Sequence, residues 1–239
     1  MHTVRFALAA AIAAALPSAA HAQIFNRCDH TRQLDNTVAL GAVALLRVEA
    51  GAGTLRVRGV EGLREVRIRG TACASSAELL AELSVGVERG SGGVTIETHF
   101  PDHDGINQTM RIDLVLEVPM GIQAEVTDGS GDAEISGLGA TTIDDGSGNL
   151  RVSDMRGAVA ITDGSGNVDV EGVIGDVHIE DGSGNVDIAE IRGTVRVTDG
   201  SGGINVRGVR GDFIVPNDGS GGVDWANVDG RVAVPRRRD

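Results

Sequence analysis

Along the second half of the chain, apolar residues fall in pairs two positions apart. Between Asp163 and Glu180 the pairs are Val168 with Val170 and Val177 with Ile179, and Val173 stands alone between them. The stretch that follows gives Val186, Ile188, Ile191, Val195 and Val197, and the one before gives Leu150, Val152, Met155, Val159 and Ile161. Spacing by two predicts two short strands per unit, each turning alternate side chains to one side. Glycine punctuates the pattern. The tetrapeptide Asp-Gly-Ser-Gly begins at Asp128, Asp145, Asp163, Asp181, Asp199 and Asp218, at intervals of 17, 18, 18, 18 and 19 residues. A further glycine recurs twelve residues after most of these aspartates, at Gly157, Gly175, Gly193, Gly211 and Gly230. Both sets mark corners between strands.

A fixed short period signals units that pack only on their neighbours. The five aliphatics of one unit are buried only when another unit stacks above and another below. Stacking also pairs each strand with its counterpart in the next copy, at a separation of about 4.8 Å. The expected fold class is therefore all-β: a single-chain parallel β-solenoid (a β-helix) with one turn per repeat of about 18 residues. A stack of antiparallel hairpins is the rival arrangement, and the identical registers of the β-turn-β units favour coiling.

Upstream the same grammar is weaker. Residues 51–70 (GAGTLRVRGVEGLREVRIRG) place Leu55, Val57, Val60, Val66 and Ile68 at comparable spacings, and 91–100 and 110–126 supply further strands. Ser75 and Glu78 have capping-box spacing ahead of Leu79, Leu80 and Leu83, which predicts a short helix near 74–84. Residues 101–109 (PDHDGINQT) read as an exposed loop. At the other end, Phe213 and Trp225 occupy inward positions held elsewhere by small aliphatics and are expected to close the core. Pro235 and the arginines 236–238 would then blunt the last strand edge; the arginine run as a ligand patch is the rival reading.

The first 22 residues (MHTVRFALAAAIAAALPSAAHA) place Arg5 before a short apolar stretch and end in a small-x-small site, the pattern of a secretory signal peptide. Phe25-Asn26-Arg27 before Cys28 does not resemble a lipoprotein box. The organisation expected is a signal peptide over 1–22, an N-terminal β-rich part over 23–120, and the repeat solenoid over 121–235. Cys28 and Cys73 are an even pair in an exported chain and read as one disulfide, two free thiols being the alternative. Aromatic residues make up 2% of the chain, so the core must be aliphatic, and the net charge of −13 speaks against nucleic acid and anionic lipid as partners.

The pattern D-G-S-G-[ND]-[VI]-x-V…G-x-V-x-[VI] resembles the DUF4097 family of adhesin-like domains from exported bacterial proteins, and the related head-GIN adhesin-like domains. The resemblance covers Gly121–Val234 well and Leu40–Ile96 more loosely. It implies a β-solenoid in the periplasm or outside the cell, and it carries no catalytic residues.

Three sets of residues could bear chemistry. The aspartates that open each repeat, Asp128, Asp145, Asp163, Asp181, Asp199 and Asp218, form a column. Neighbouring carboxylates would repel by about 1 kcal/mol in water and about 3 kcal/mol at an effective dielectric of 20. Either each accepts hydrogen bonds from its own Gly-Ser-Gly turn, or a cation such as calcium sits among them. The 18-residue period is twice that of the calcium-binding nonapeptide G-G-x-G-x-D-x-U-x, but Asp169 and Asp187 lie three residues after the last glycine where that motif needs two. Turn capping is the reading adopted, with these aspartates as weak metal candidates and no cofactor expected. The serines Ser130, Ser147, Ser165, Ser183, Ser201 and Ser220 recur without a matching histidine column, so they read as turn residues; His178 is predicted to face outward. His99, Asp102, His103 and Asp104 crowd around Pro101 but lack the fixed spacing of a preset metal site.

These readings converge on a non-enzymatic exported solenoid whose faces serve as a binding or structural surface of the cell envelope, with a protein or glycan as partner. The alternatives are a β-helix carbohydrate-active enzyme, which would need a groove lined by arginine and carboxylates, and a calcium-stabilised spacer. The outward column Glu134, Arg151, Asp169, Asp187, Asn205 and Asp224 is mixed, which favours the first reading.

Overall fold

The structure, a computed structural model, describes residues 28–40, 45–90, 92–102 and 108–235. The leader, His103, Asp104 and the arginine run 236–238 lie outside the described residues.

Two ten-stranded sheets run the length of the molecule. From Gln123 onward each repeat gives one strand to each sheet. The strands Ala133–Ser136, Leu150–Ser153, Val168–Glu171, Val186–Ile191, Ser201–Val209 and Ser220–Val228 follow one another in the first sheet. In the second the order is Gln123–Ser130, Thr141–Asp145, Val159–Asp163, Val177–Asp181, Val195–Asp199 and Phe213–Asn217. All these pairings are parallel and, apart from a shift at the end of Phe213–Asn217, hold equivalent residues in register, Val168 between Leu150 and Val186, and Val177 between Val159 and Val195. The chain is a parallel β-solenoid with one coil per repeat. Val168, Val170, Val173, Val177 and Ile179 are all buried, as their alternation demands. Each contributes about 2 kcal/mol through removal from water.

The tetrapeptide earns its sequence at a corner where backbones meet. Gly146, Gly164 and Gly182 each donate their N–H to the carbonyl of the aspartate one coil back, at 2.8–2.9 Å. A Cβ placed on Gly164 would stand 2.5 Å from the carbonyl oxygen of Gly146, so any other residue would push the coils apart. The fourth residue of the first five motifs needs a positive φ as well, +149° at Gly166 and +148° at Gly184.

The N-terminal third departs from simple winding. The coil made of Leu45–Ala52 and Leu55–Val60 packs directly beneath the first repeat, Leu55 opposite Ala133 and Leu46 opposite Ala124. The coil that comes later in sequence, Gly93–His99 with Met110–Pro119, lies on the far side of it. Coil order in space is therefore not coil order in sequence. Beyond that outer coil the strands turn antiparallel: Glu65–Ala74 against Met110–Pro119, His30–Ala39 against Glu65–Ala74, and Ser84–Arg89 against Gly93–His99. The further strands expected in this region are present, and the outermost of them pair antiparallel.

A helix, Ala77–Glu82, bridges the two sheets at this end and buries Leu79, with Leu83 just beyond it, against Ala72, Ala74 and Ile112. It is shorter than predicted, and its N-cap is Ser76, whose hydroxyl accepts from the Leu79 N–H at 3.3 Å. Ser75 instead pairs with Thr109 through its own N–H and its hydroxyl. Cys28 and Cys73 are joined in a disulfide, their Cα atoms 5.4 Å apart. No helix among the described residues is long and apolar enough to cross a membrane.

At the opposite end Phe213 is fully buried. Trp225 sits on an inward column, opposite Val206, yet is 48% exposed because no further described coil covers it. Its ring lies 6.4 Å from that of Phe213. The expected cap is therefore closed by the phenylalanine and only half closed by the tryptophan.

Candidate functional site

Asp145, Asp163, Asp181 and Asp199 are each the last residue of a strand in the second sheet, two positions beyond the inward pair, and Asp128 holds the same place within Gln123–Ser130. Parity therefore turns their side chains inward. Asp128, Asp145, Asp163, Asp181 and Asp199 are partners of one another in register along five coils, and all five are buried, Asp199 completely. Asp218 falls out of the row: a register shift leaves Asn217 opposite Thr198, and Asp218 is only half-buried.

Turn capping accounts for part of this ladder. Asp181 accepts the Ser183 N–H at 3.1 Å and Asp199 the Ser201 N–H at 3.0 Å. Both oxygens of Asp128, Asp145 and Asp163, and the second oxygen of Asp181 and Asp199, have no hydrogen-bond partner among the described residues. Burial is the main consequence for their charge. It pushes the carboxyl of Asp128 up to about 7, helped by the charge of Asp145. It does the same at Asp163, also to about 7, with Asp145 and Asp181 adding repulsion. Asp199 rises to about 6 through burial and then Asp181, and Asp145 and Asp181 are raised by burial as well. Raised carboxyls hold protons more readily, which eases the repulsion along the ladder, while turn capping is seen only at Asp181 and Asp199. Among the described residues no group of three or more His, Cys, Asp or Glu converges in a way that could hold a metal ion.

The serines of the motif lie at the corners, where their carbonyls accept from the next glycine of the preceding coil, as in Gly166 N–H to Ser183 at 3.0 Å. His178 is part-exposed on the outer face and lies 3.2 Å from Glu180. His99 is 3.8 Å from Glu97, and Asp102 is exposed in the adjoining segment.

Among the concavities on the outside, two hold rows of charged or amide side chains. One, of about 720 Å³, spans the outer face of the first sheet. Its arginines are already paired, Arg56 with Glu134 at 2.8 Å and Arg151 with Asp169 at 2.9 Å. A ladder of amides, Asn149, Asn167 and Asn185, runs through it, each side chain bonded to the next at 3.0–3.2 Å. The other, of about 630 Å³, follows the corner opposite the Asp-Gly-Ser-Gly turns and is lined by Arg156, Arg192, Arg210, Asp154, Glu190 and Ile174, among others. The three arginines share one repeat position, and Ile174 holds that position in the coil between Arg156 and Arg192. The sequence alone shows this row of equivalent positions, but spacing does not mark it as a groove, nor does it mark the aspartates as buried.

No family model and no curated protein matches the chain. Among solved structures the chain is similar to a candidate cell adhesion protein of Clostridium sporogenes, at 12% identity over 85% of this chain and 99% of that one, with a TM-score of 0.41. A candidate adhesin of Bacteroides fragilis is similar at 12% identity over 84% and 96% of the two chains, with a TM-score of 0.38. For a candidate adhesin of Parabacteroides distasonis the figures are 10%, 82% and 97%, and the TM-score is 0.29.

Proposed function

We propose that the chain is an exported, non-enzymatic β-solenoid of the adhesin-like kind whose outer surface binds or braces a component of the cell envelope, in the periplasm or at the cell surface. The observation that carries this reading is the register of the outward side chains. Asp169 stands opposite Arg151 and Asp187, and Asn205 opposite Asp187, so that polar groups recur at every coil along a stiff axis. A repeating surface suits a repeating ligand or an extended neighbour, whereas catalysis needs one asymmetric constellation of groups. The signal-like leader and the Cys28–Cys73 disulfide support export. The D-G-S-G pattern supports a place beside the DUF4097 domains.

A second reading as a carbohydrate-active enzyme draws on the corner groove, where arginine and carboxylates do occur together. Asp154 and Glu190 are both exposed, however, and a general acid keeps its proton at neutral pH through burial. Immobilised mature protein should retain a glycan or protein from envelope fractions while leaving glycan chain lengths unchanged. Absence of any retention by folded protein would remove the binding reading, and shortening of the glycan would put the enzyme in its place.

A further inference from the structure

The corner groove carries a charge pattern at odds with the rest of the molecule. In a chain of net charge −13, Arg156, Arg192 and Arg210 line one groove and form no ion pair among the described residues. On the sheet faces Arg47 pairs with Glu125 (2.7 Å), Arg56 with Glu134 and Arg151 with Asp169, while Arg58, Arg196 and Arg207 are unpaired among the described residues but do not share one groove. Each coil advances the axis by about 4.8 Å, so Arg192 and Arg210 stand one such step apart and Arg156 two steps before them.

We infer that this groove binds a linear acidic glycan, a polymer of sugars bearing carboxylates, with Arg156, Arg192 and Arg210 receiving the carboxylates. The inference deepens the binding-surface reading above and rests on it. Guanidinium forks match carboxylates in bidentate geometry. Ile174, 52% exposed between Arg156 and Arg192, offers an apolar platform for the C–H face of a sugar ring. Asp154 and Glu190 supply acceptors for hydroxyl donors, and they do so at a cost in backbone strain. Both hold left-handed backbones, φ +55° and +59°, at the repeat position where Gly137, Gly172 and Gly208 sit at φ +71°. Glycine would fill those places without the penalty of about 1–2 kcal/mol that Glu190 meets there, a penalty smaller at Asp154 since Asp and Asn tolerate this backbone, as Asn227 does at φ +56°. Strained carboxylates kept along a groove point to a use for them. They also argue against a polyphosphate, whose unbroken row of anions would face them and which has no hydroxyls on its chain to donate to them.

Exposed ion pairs are individually weak, about 0.2–1 kcal/mol, so affinity must come from several sugars engaging several coils at once. Calorimetric titration of the mature protein with oligogalacturonates of increasing length should show binding that tightens as successive arginines are spanned and then levels off. The double variant Arg192→Gln/Arg210→Gln should bind the long oligomer about tenfold or more weakly, having lost two charge-assisted contacts, while melting as the wild type does. Arg151→Gln, outside the groove, should bind normally. Equal binding of a methyl-esterified oligomer, tighter binding of polyphosphate, or an unaffected double variant would overturn the inference. If the protein ignores oligogalacturonate yet still retains an envelope component, the groove assignment fails alone; if it retains nothing, the binding reading fails with it.

Discussion

The repeat coils and the N-terminal coils solve the same packing problem by different means. From Thr141 onward each coil lies on the one before it in sequence, and the corners from Gly146 to Gly200 repeat the same glycine contacts. Before that point the coil Leu45–Val60 is inserted between two later segments, and the end is closed by antiparallel strands, a helix and a disulfide. A repeat that specifies only its nearest neighbour can propagate without limit. An end cannot be specified that way, and long-range contacts have to make it.

Variants that strike one region and spare the other sharpen this contrast. The largest effect is expected at Val186→Asp, which drives a carboxylate into a column between Val168 and Ile204. It should cost about 4 kcal/mol or more, as core cavity and buried-charge changes do, by urea denaturation. Asp187→Asn, one residue away and facing outward, is the control and should melt within about a degree of wild type.

Replacing Cys28 and Cys73 with serine opens a loop of 45 residues and should cost about 4 kcal/mol in the chain-entropy picture. Hydrogen exchange should rise in His30–Ala39 and Glu65–Ala74 and stay slow in Val168–Glu171. Equal loosening of both regions would mean that the two fold as one cooperative unit.

Gly182→Ala comes next. Its Cβ would fall 2.5 Å from the Gly164 carbonyl oxygen, and a loss of about 2 kcal/mol follows from overpacking. Gly90→Ala, in the N-terminal region with open space around it, should be neutral within about 0.5 kcal/mol.

A further contrast is in pH. Because burial raises the carboxyls of Asp128 and Asp163 to about 7 from an ordinary 3.8, the folded chain holds protons that the unfolded chain releases from about pH 4 upward. Stability is therefore fully present below about pH 4, falls as pH rises toward 7, and levels off above. Melting scans should show a steady decline from pH 5 to pH 7.5, on the order of 2 kcal/mol for each carboxyl held near 7. Asp163→Asn should flatten it, and a wild type that gains stability with rising pH would contradict the ladder's assignment.

Much of this architecture was legible from spacing alone. The pairs at Val168/Val170 and Val177/Ile179 give inward columns, the tetrapeptide gives a corner, and their period gives the stack. The winding order of the N-terminal coils was not legible, because Leu55 and Val57 show only that a strand has an inner face and not which coil covers it. Ser76 rather than Ser75 caps the helix because Ser75 is occupied by Thr109, a partner far away in sequence. The inward aspartates follow from parity, yet the rule that charged groups stay outside hides them until their protonation is considered.

Spin labels on pairs of outward positions test the central arrangement most directly. With Glu134 labelled in each case, partners at Asp187, Asn205 and Asp224 lie three, four and five coils away. Electron-spin distance measurements should give means that grow by about 5 Å per coil, from about 14 Å to about 24 Å. Separations that jump by much more per repeat, or that do not grow steadily, would contradict a stack of parallel coils in register.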